Sequence, residues 1–258
     1  MPDQLPGIPA AVSTALDRLK EELGRTAGPN FAGLVLYGGL ARGRYRPGKS
    51  DVNVIVLLHD ASAPALAVVA PALRTAWRAA GVDPLLLTPA EVPRAAHAFP
   101  TKFLDIKNHH IVLAGADPLA SLEVTTEQIR QRVAQGLHNL LLRLRRRYVV
   151  VLNDAGMLTR TLAGAARPFA LELEALLYLA GKEVPAEDRS ALVFEAAAAA
   201  FGLERGPLAQ LAALRQNPRT SGDLTALFRS VLEAIARAAD IAFTLPSVPG
   251  EKGKEPTR

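Results

Sequence analysis

Residues Leu34–Leu58, LVLYGGLARGRYRPGKSDVNVIVLL, decide how this chain folds. The segment opens with a short apolar run, Leu34-Val35-Leu36-Tyr37, stopped by Gly38-Gly39. A basic connector containing Gly and Pro follows, and then comes Asp51-Val52-Asn53-Val54-Ile55-Val56-Leu57-Leu58. Short apolar runs bounded by turn residues predict buried strands. The segment therefore reads as a strand over 33–37, a glycine turn, a short helix or loop, and a strand over 51–58. Side chains alternate across a strand, so Asp51 and Asn53, two apart at the strand start, point to one face.

On either side of this segment the first part of the chain alternates helix and strand. Residues 9–24 carry Val12, Leu16, Leu19 and Leu23 at helical spacing, with Gly24 as the stop. Residues 64–80 read as helical, with Pro71 as a kink or break, and Gly81 ends them. Pro84–Thr88 is a short buried strand preceded by Asp83, and Thr88-Pro89-Ala90-Glu91 reads as an N-cap with proline at the first helical position. Residues 99–114 read as a short helix and then a short strand, before the turn cluster Gly115-Ala116-Asp117-Pro118. Beyond Leu122 no strand signal remains. Thr125–Leu152 is one long amphipathic helix opened by a Thr125/Gln128 capping box. Residues 154–181 give a helix or two divided near Pro168, and 187–201, 206–216 and 222–243 supply three more. The expected fold class is α+β, an α/β-type layer. A small mixed-sheet domain (1–118) precedes an all-α antiparallel bundle (119–246), and 247–258 form a polar, disordered tail.

Composition excludes several chemistries. The 258 residues hold no cysteine, which removes disulfides, thiolate metal sites and a cysteine nucleophile. No apolar run reaches the roughly 18 residues of a membrane span, and the N-terminus lacks the basic-then-apolar pattern of a secretory signal. The expected location is the cytoplasm. The net charge of +5 suits a nucleotide, a nucleic acid or another anion, and equally a well-solvated basic surface.

Tyr37-Gly38-Gly39, a spacer, and Asp51-Val52-Asn53-Val54 together resemble the signature of the polymerase-β-type nucleotidyltransferases. The resemblance covers roughly residues 10–117. It includes the strand order and the run LLLTPAEV, which is similar to that part of bacterial aminoglycoside-type and uncharacterised members; many members also carry a helical bundle after the catalytic domain. It implies that Gly38 and Gly39 turn the chain tightly and set backbone N–H groups against a triphosphate. It implies Mg²⁺, or Mn²⁺, at Asp51, ATP or another NTP as substrate, and a third carboxylate on a later strand. Asp83, which shares a face with Leu85 and Leu87, is the candidate for that carboxylate, and Glu91 is the weaker one because Glu belongs in a helix's first turn. Arg42 matches a basic residue the family places after the glycines, and Ser50 the small polar residue before the first carboxylate. Lys102, with Lys107, is a further candidate for the nucleotide.

One position departs from the family. Where a second carboxylate is expected stands Asn53, whose neutral amide removes one negative charge from the metal site. Two readings follow. One is an enzyme that transfers a nucleoside monophosphate from an NTP to a hydroxyl of a small-molecule or protein acceptor. The other is a pseudo-nucleotidyltransferase that serves as a nucleotide-binding or regulatory module. In the bundle, Arg145-Arg146-Arg147 is a solvated face or a nucleic-acid contact, without interleaved aromatics for base stacking. An RNA-binding or toxin–antitoxin role for that helix is the third reading. Arg132 and His138 match the loose Arg-x5-His spacing of HEPN ribonucleases, although a half-buried helix histidine explains His138 as well. The adjacent His109 and His110 would point to opposite faces of a strand, which argues against a shared metal.

Overall fold

The computed structural model describes residues 8–48, 50–185, 190–218 and 222–245; the expected tail, 247–258, lies outside them, as does Lys49. The chain forms two compact units, Met1–Val124 and Thr125–Arg258.

The first unit is built on four strands, β1 (Phe31–Tyr37), β2 (Val52–Leu58), β3 (Val82–Leu87) and β4 (His110–Gly115), in the order β3-β2-β1-β4. The sheet is mixed: β1 runs antiparallel to both β2 and β4, and β2 runs parallel to β3. The apolar runs are continuous because both faces are covered. Leu34, Leu36, Val52, Val54, Val56 and Leu58 project to one side, against α1 (Ala10–Ala27) and α2 (Ala63–Ala80). Val35, Tyr37, Ile55 and Leu57 project to the other, against α3 (Val92–Ala98), α4 (Pro100–Asn108) and the chain around Leu119 and Leu122. Pro71 does not break α2, because the carbonyl it leaves without a helical partner lies at exposed Ala67, open to solvent. The capping box at Thr88 is present, with the Glu91 carboxylate accepting from the Thr88 N–H at 2.7 Å.

The second unit consists of α5 (Thr126–Val151), α6 (Ala155–Leu179), α7 (Ser190–Phe201), α8 (Arg205–Gln216) and α9 (Leu224–Thr244). Thr125, Asp154 and Asp223 cap α5, α6 and α9 through their side chains. Arg130 bonds the Phe243 carbonyl at 3.2 Å while Tyr148 stacks on Phe228, so α5 and α9 run antiparallel. The expected division near Pro168 is not found. α6 is continuous, since the carbonyl that Pro168 deprives of its N–H partner belongs to exposed Gly164. No described helix is long and apolar enough to cross a membrane. The chain thus has the α+β class that its pattern predicts.

Candidate active site

The strand register assembles the site. Tyr37 lies opposite Asn53 on β2 and His110 on β4, and Asn53 lies beside Asp83 on β3. Asp83, Asn53, Tyr37 and His110 therefore form one row across an end of the sheet. Side chains at paired positions share a face, and this face packs against α3 and α4. Asp51 sits exposed, just before β2, at the same end.

Gly38 closes the row. Its φ of 78° is one that side chains rarely adopt, and an added Cβ would stand 3.0 Å from Asn53 Nδ2. The glycine and the amide are thus in close approach. Beyond Gly38 the chain forms consecutive turns rather than a helix. The N–H of Arg42 donates to the Gly38 carbonyl at 3.2 Å, and that of Arg44 to the Gly39 carbonyl at 2.7 Å. Leu40 is buried under α1 and α2 and anchors these turns. Ser50 closes the connector: its N–H donates to the Arg46 carbonyl at 3.0 Å and its hydroxyl accepts from the Arg46 N–H at 3.1 Å. In this structure the Ser50 side chain is a loop brace.

Helix α4 supplies the other wall. Lys102 Nζ lies 5.7 Å from the centre of the Tyr37 ring, a cation–π distance. One turn on, Asp105 forms an ion pair with Arg42 and also approaches His109 Nδ1 at 3.4 Å. The spacing explains this, because residues three apart share a helix face. Arg42, expected to meet phosphate directly, is tied to α4 by a carboxylate that the sequence reading did not assign. His109 ends α4 and His110 begins β4, so the pair does not lie on one strand. The His110 ring approaches the carbonyls of Ile106 and Lys107 at 3.1 Å through Nδ1 and Asp117 at 3.3 Å through Nε2, a structural clasp.

The electrostatics follow this layout. Burial pushes the Tyr37 phenol above its ordinary pKa, and the Asp83 carboxylate pushes it further in the same direction. Burial, and then the positive charges of Arg42 and Arg44, lower the His109 pKa. Among the described residues no group of three or more His, Asp or Glu is placed to hold a metal ion. What this end of the sheet offers is two carboxylates, Asp51 and Asp83, and the Asn53 amide. Mg²⁺ is commonly bound by one or two carboxylates and completed by substrate phosphates and water. The donor set therefore fits a metal that arrives with a triphosphate. Tyr37 and Asp105 are the members that sequence reasoning missed. Tyr37 was visible as the last residue before Gly38, and Asp105 as the residue one turn beyond Lys102.

In the helical unit, Arg132 is engaged by Glu172 at 3.1 Å. His138 is exposed rather than half-buried and packs edge-on against Phe243 at 5.6 Å. Each is thus occupied by a structural contact.

No protein-family model matches the chain, and no curated protein matches it in sequence. A solved structure does: spectinomycin adenyltransferase AAD(9) from Enterococcus faecialis, crystallised with ATP and spectinomycin. The likeness has a TM-score of 0.52 at 12% identity and covers 90% of this chain and 99% of that one. At this identity the likeness speaks for the architecture. The chain shares the overall fold of that adenyltransferase, a small mixed-sheet domain followed by helices.

Proposed function

We propose that this protein binds a nucleoside triphosphate with Mg²⁺ at the Asp83–Asn53–Tyr37 end of its sheet and transfers the nucleoside monophosphate to a hydroxyl acceptor, releasing pyrophosphate. The observation that carries this reading is the register itself. It sets Asp83 beside Asn53 and brings Gly38 against the Asn53 amide, two residues on from Asp51. Asp51 and Asp83 would hold the metal, with the Asn53 carbonyl oxygen as a neutral third donor. The metal supplies charge neutralisation and orientation of the phosphates. The chain's own work would be positioning: the Gly38-Gly39 turn would bring backbone N–H groups to the phosphates, Lys102 adds a positive charge beside Tyr37, and Asp105 holds Arg42 in place. ATP and spectinomycin in the similar structure support a nucleotide and a small-molecule acceptor here. The net charge of +5 and the arginine-rich helical unit speak against a strongly cationic acceptor.

Asn53 favours a second reading, a nucleotide-binding module without turnover, because one metal charge is missing. Incubation with α-³²P-labelled ATP, Mg²⁺ or Mn²⁺ and a panel of hydroxylated acceptors separates the two. The enzyme reading expects transfer of the labelled monophosphate to an acceptor, with unlabelled pyrophosphate released, that requires both metal and acceptor and is abolished in Asp51→Ala. Saturable nucleotide binding without any turnover selects the module.

A further inference from the structure

Among the described residues, a groove of about 780 Å³ opens between the C-terminal half of α5 and the N-terminal half of α6. Its rims carry Arg143, Arg146 and Arg147 from α5 and Arg160 from α6, and its floor includes Leu144, Met157 and Pro168. The arginines fall at i, i+3 and i+4 along α5, so they share one helix face. Val150 continues this face one turn further and is 69% exposed; Leu142, also at the groove, is 56% exposed.

Among the described residues this charge has no ion-pair partner. Between Glu127 and Glu172 the sole carboxylate is Asp154, and its Oδ1 accepts the Met157 N–H at 2.8 Å as the cap of α6. None of the four rim arginines forms an ion pair with a described residue. Two other arginines of the same unit are paired, Arg130 with Glu127 and Arg132 with Glu172. Like charges gathered on one face without partners work against the compact state, so their collection around an apolar floor calls for an external anion.

We infer that this groove docks an acidic amphipathic helix of another protein, whose apolar stripe covers the floor and whose carboxylates meet the arginine rims. The pattern of apolar floor and charged rims is that of helix-in-groove recognition, and guanidinium groups bind carboxylates in bidentate pairs. The size agrees. A helix about 10 Å across and three turns long, half embedded, displaces roughly 600 Å³. Two local features keep the groove open. Gly164 carries no side chain, and an added Cβ there meets nothing within 4 Å. Pro168, four residues on, leaves the Gly164 carbonyl free to accept a bond from an arriving ligand. A nucleic acid is the weaker occupant, because no aromatic side chain lines the groove for base stacking. Pairing of this face with the same face of a second copy is also weaker, since residues 128–171, which carry the groove, contain no acidic helix face to complement it.

The full chain is titrated by fluorescence anisotropy with a labelled 14-residue peptide carrying a leucine stripe flanked by glutamates. Two controls are a scramble of the same composition and a version with lysine for glutamate. The expected result is micromolar binding of the first peptide and none of the controls. Arg143→Glu/Arg147→Glu should weaken it at least tenfold and gain the lysine version. Gly164→Leu, which suits a helix and leaves every charge in place, should also weaken it at least tenfold. Circular dichroism checks that both variants keep their helix content. Equal binding of the scramble, no saturation below 1 mM, or tighter, salt-sensitive binding of an RNA oligonucleotide lost in the same variants would overturn the inference.

Discussion

Replacing Asn53 by Asp restores the carboxylate that the motif lacks, and the structure gives the consequences. Asn53 is the register partner of Asp83 on the neighbouring strand and stands two residues from Asp51. Adjacent strands lie about 4.8 Å apart and two residues along a strand span about 6.6 Å, so the new charge gains two like neighbours at short range. Both neighbours are exposed, so screening is near that of water and each repulsion is about 1 kcal/mol or less. Without metal, Asn53→Asp should therefore cost about 1–2 kcal/mol, a lowering of the melting temperature by about 4–8 °C for a unit of this size. Mg²⁺ should reverse the sign, since three carboxylates at one strand end hold a hard cation better than two. The new charge also faces Tyr37 in register and should raise the phenol further above its ordinary pKa, readable by ultraviolet titration. Calorimetric melts of both proteins with and without millimolar Mg²⁺ give the answer. If the variant melts like the wild type in both conditions and Tyr37 titrates unchanged, the three side chains do not converge and the site is misassigned.

Other perturbations test neighbouring parts of the account. Gly38→Ala should cost about 1–2 kcal/mol for its positive φ, plus displacement of Asn53, whereas Gly39→Ala, whose added Cβ meets only the Arg44 carbonyl at 4.0 Å, should be nearly neutral; equal denaturant midpoints would refute the close approach. Gly115→Ala should destabilise by about 3 kcal/mol or more, because φ is +80° and the added Cβ meets the Ala32 carbonyl, which is backbone and cannot turn aside. Glu172 tests the helical unit. Burial raises its pKa and Arg132 only partly offsets this, so its contribution to stability is fully present below the unfolded value and is lost as pH rises through the folded one. Glu172→Gln should accordingly gain on the wild type in urea melts between pH 4 and pH 7; a difference that stays flat across that window contradicts the buried charge.

The architecture was legible because it depends on local signals. Two apolar runs around Gly38-Gly39, the capping pairs at Thr88 and Thr125, and helical spacing from Val12 to Leu23 each need only near neighbours. Pro71 and Pro168 were misleading as breaks because their cost depends on whether the orphaned carbonyl is exposed, a tertiary fact. The site was legible in part. The two-residue spacing of Asp51 and Asn53 is a strand property. Their alignment with Asp83 and Tyr37 is a matter of register between strands distant in sequence. The Arg42–Asp105 pair was invisible for the same reason, since its partners lie on a turn and a helix that only the folded sheet brings together.

The central claim is that this sheet end holds a metal–triphosphate pair. Isothermal titration of the full chain with a non-hydrolysable ATP analogue, in Mg²⁺ and again in EDTA, measures it directly. The account predicts saturable binding in Mg²⁺ that weakens at least tenfold in EDTA and in Asp51→Asn. Binding that is indifferent to the metal and to Asp51, or no binding at all, would contradict it.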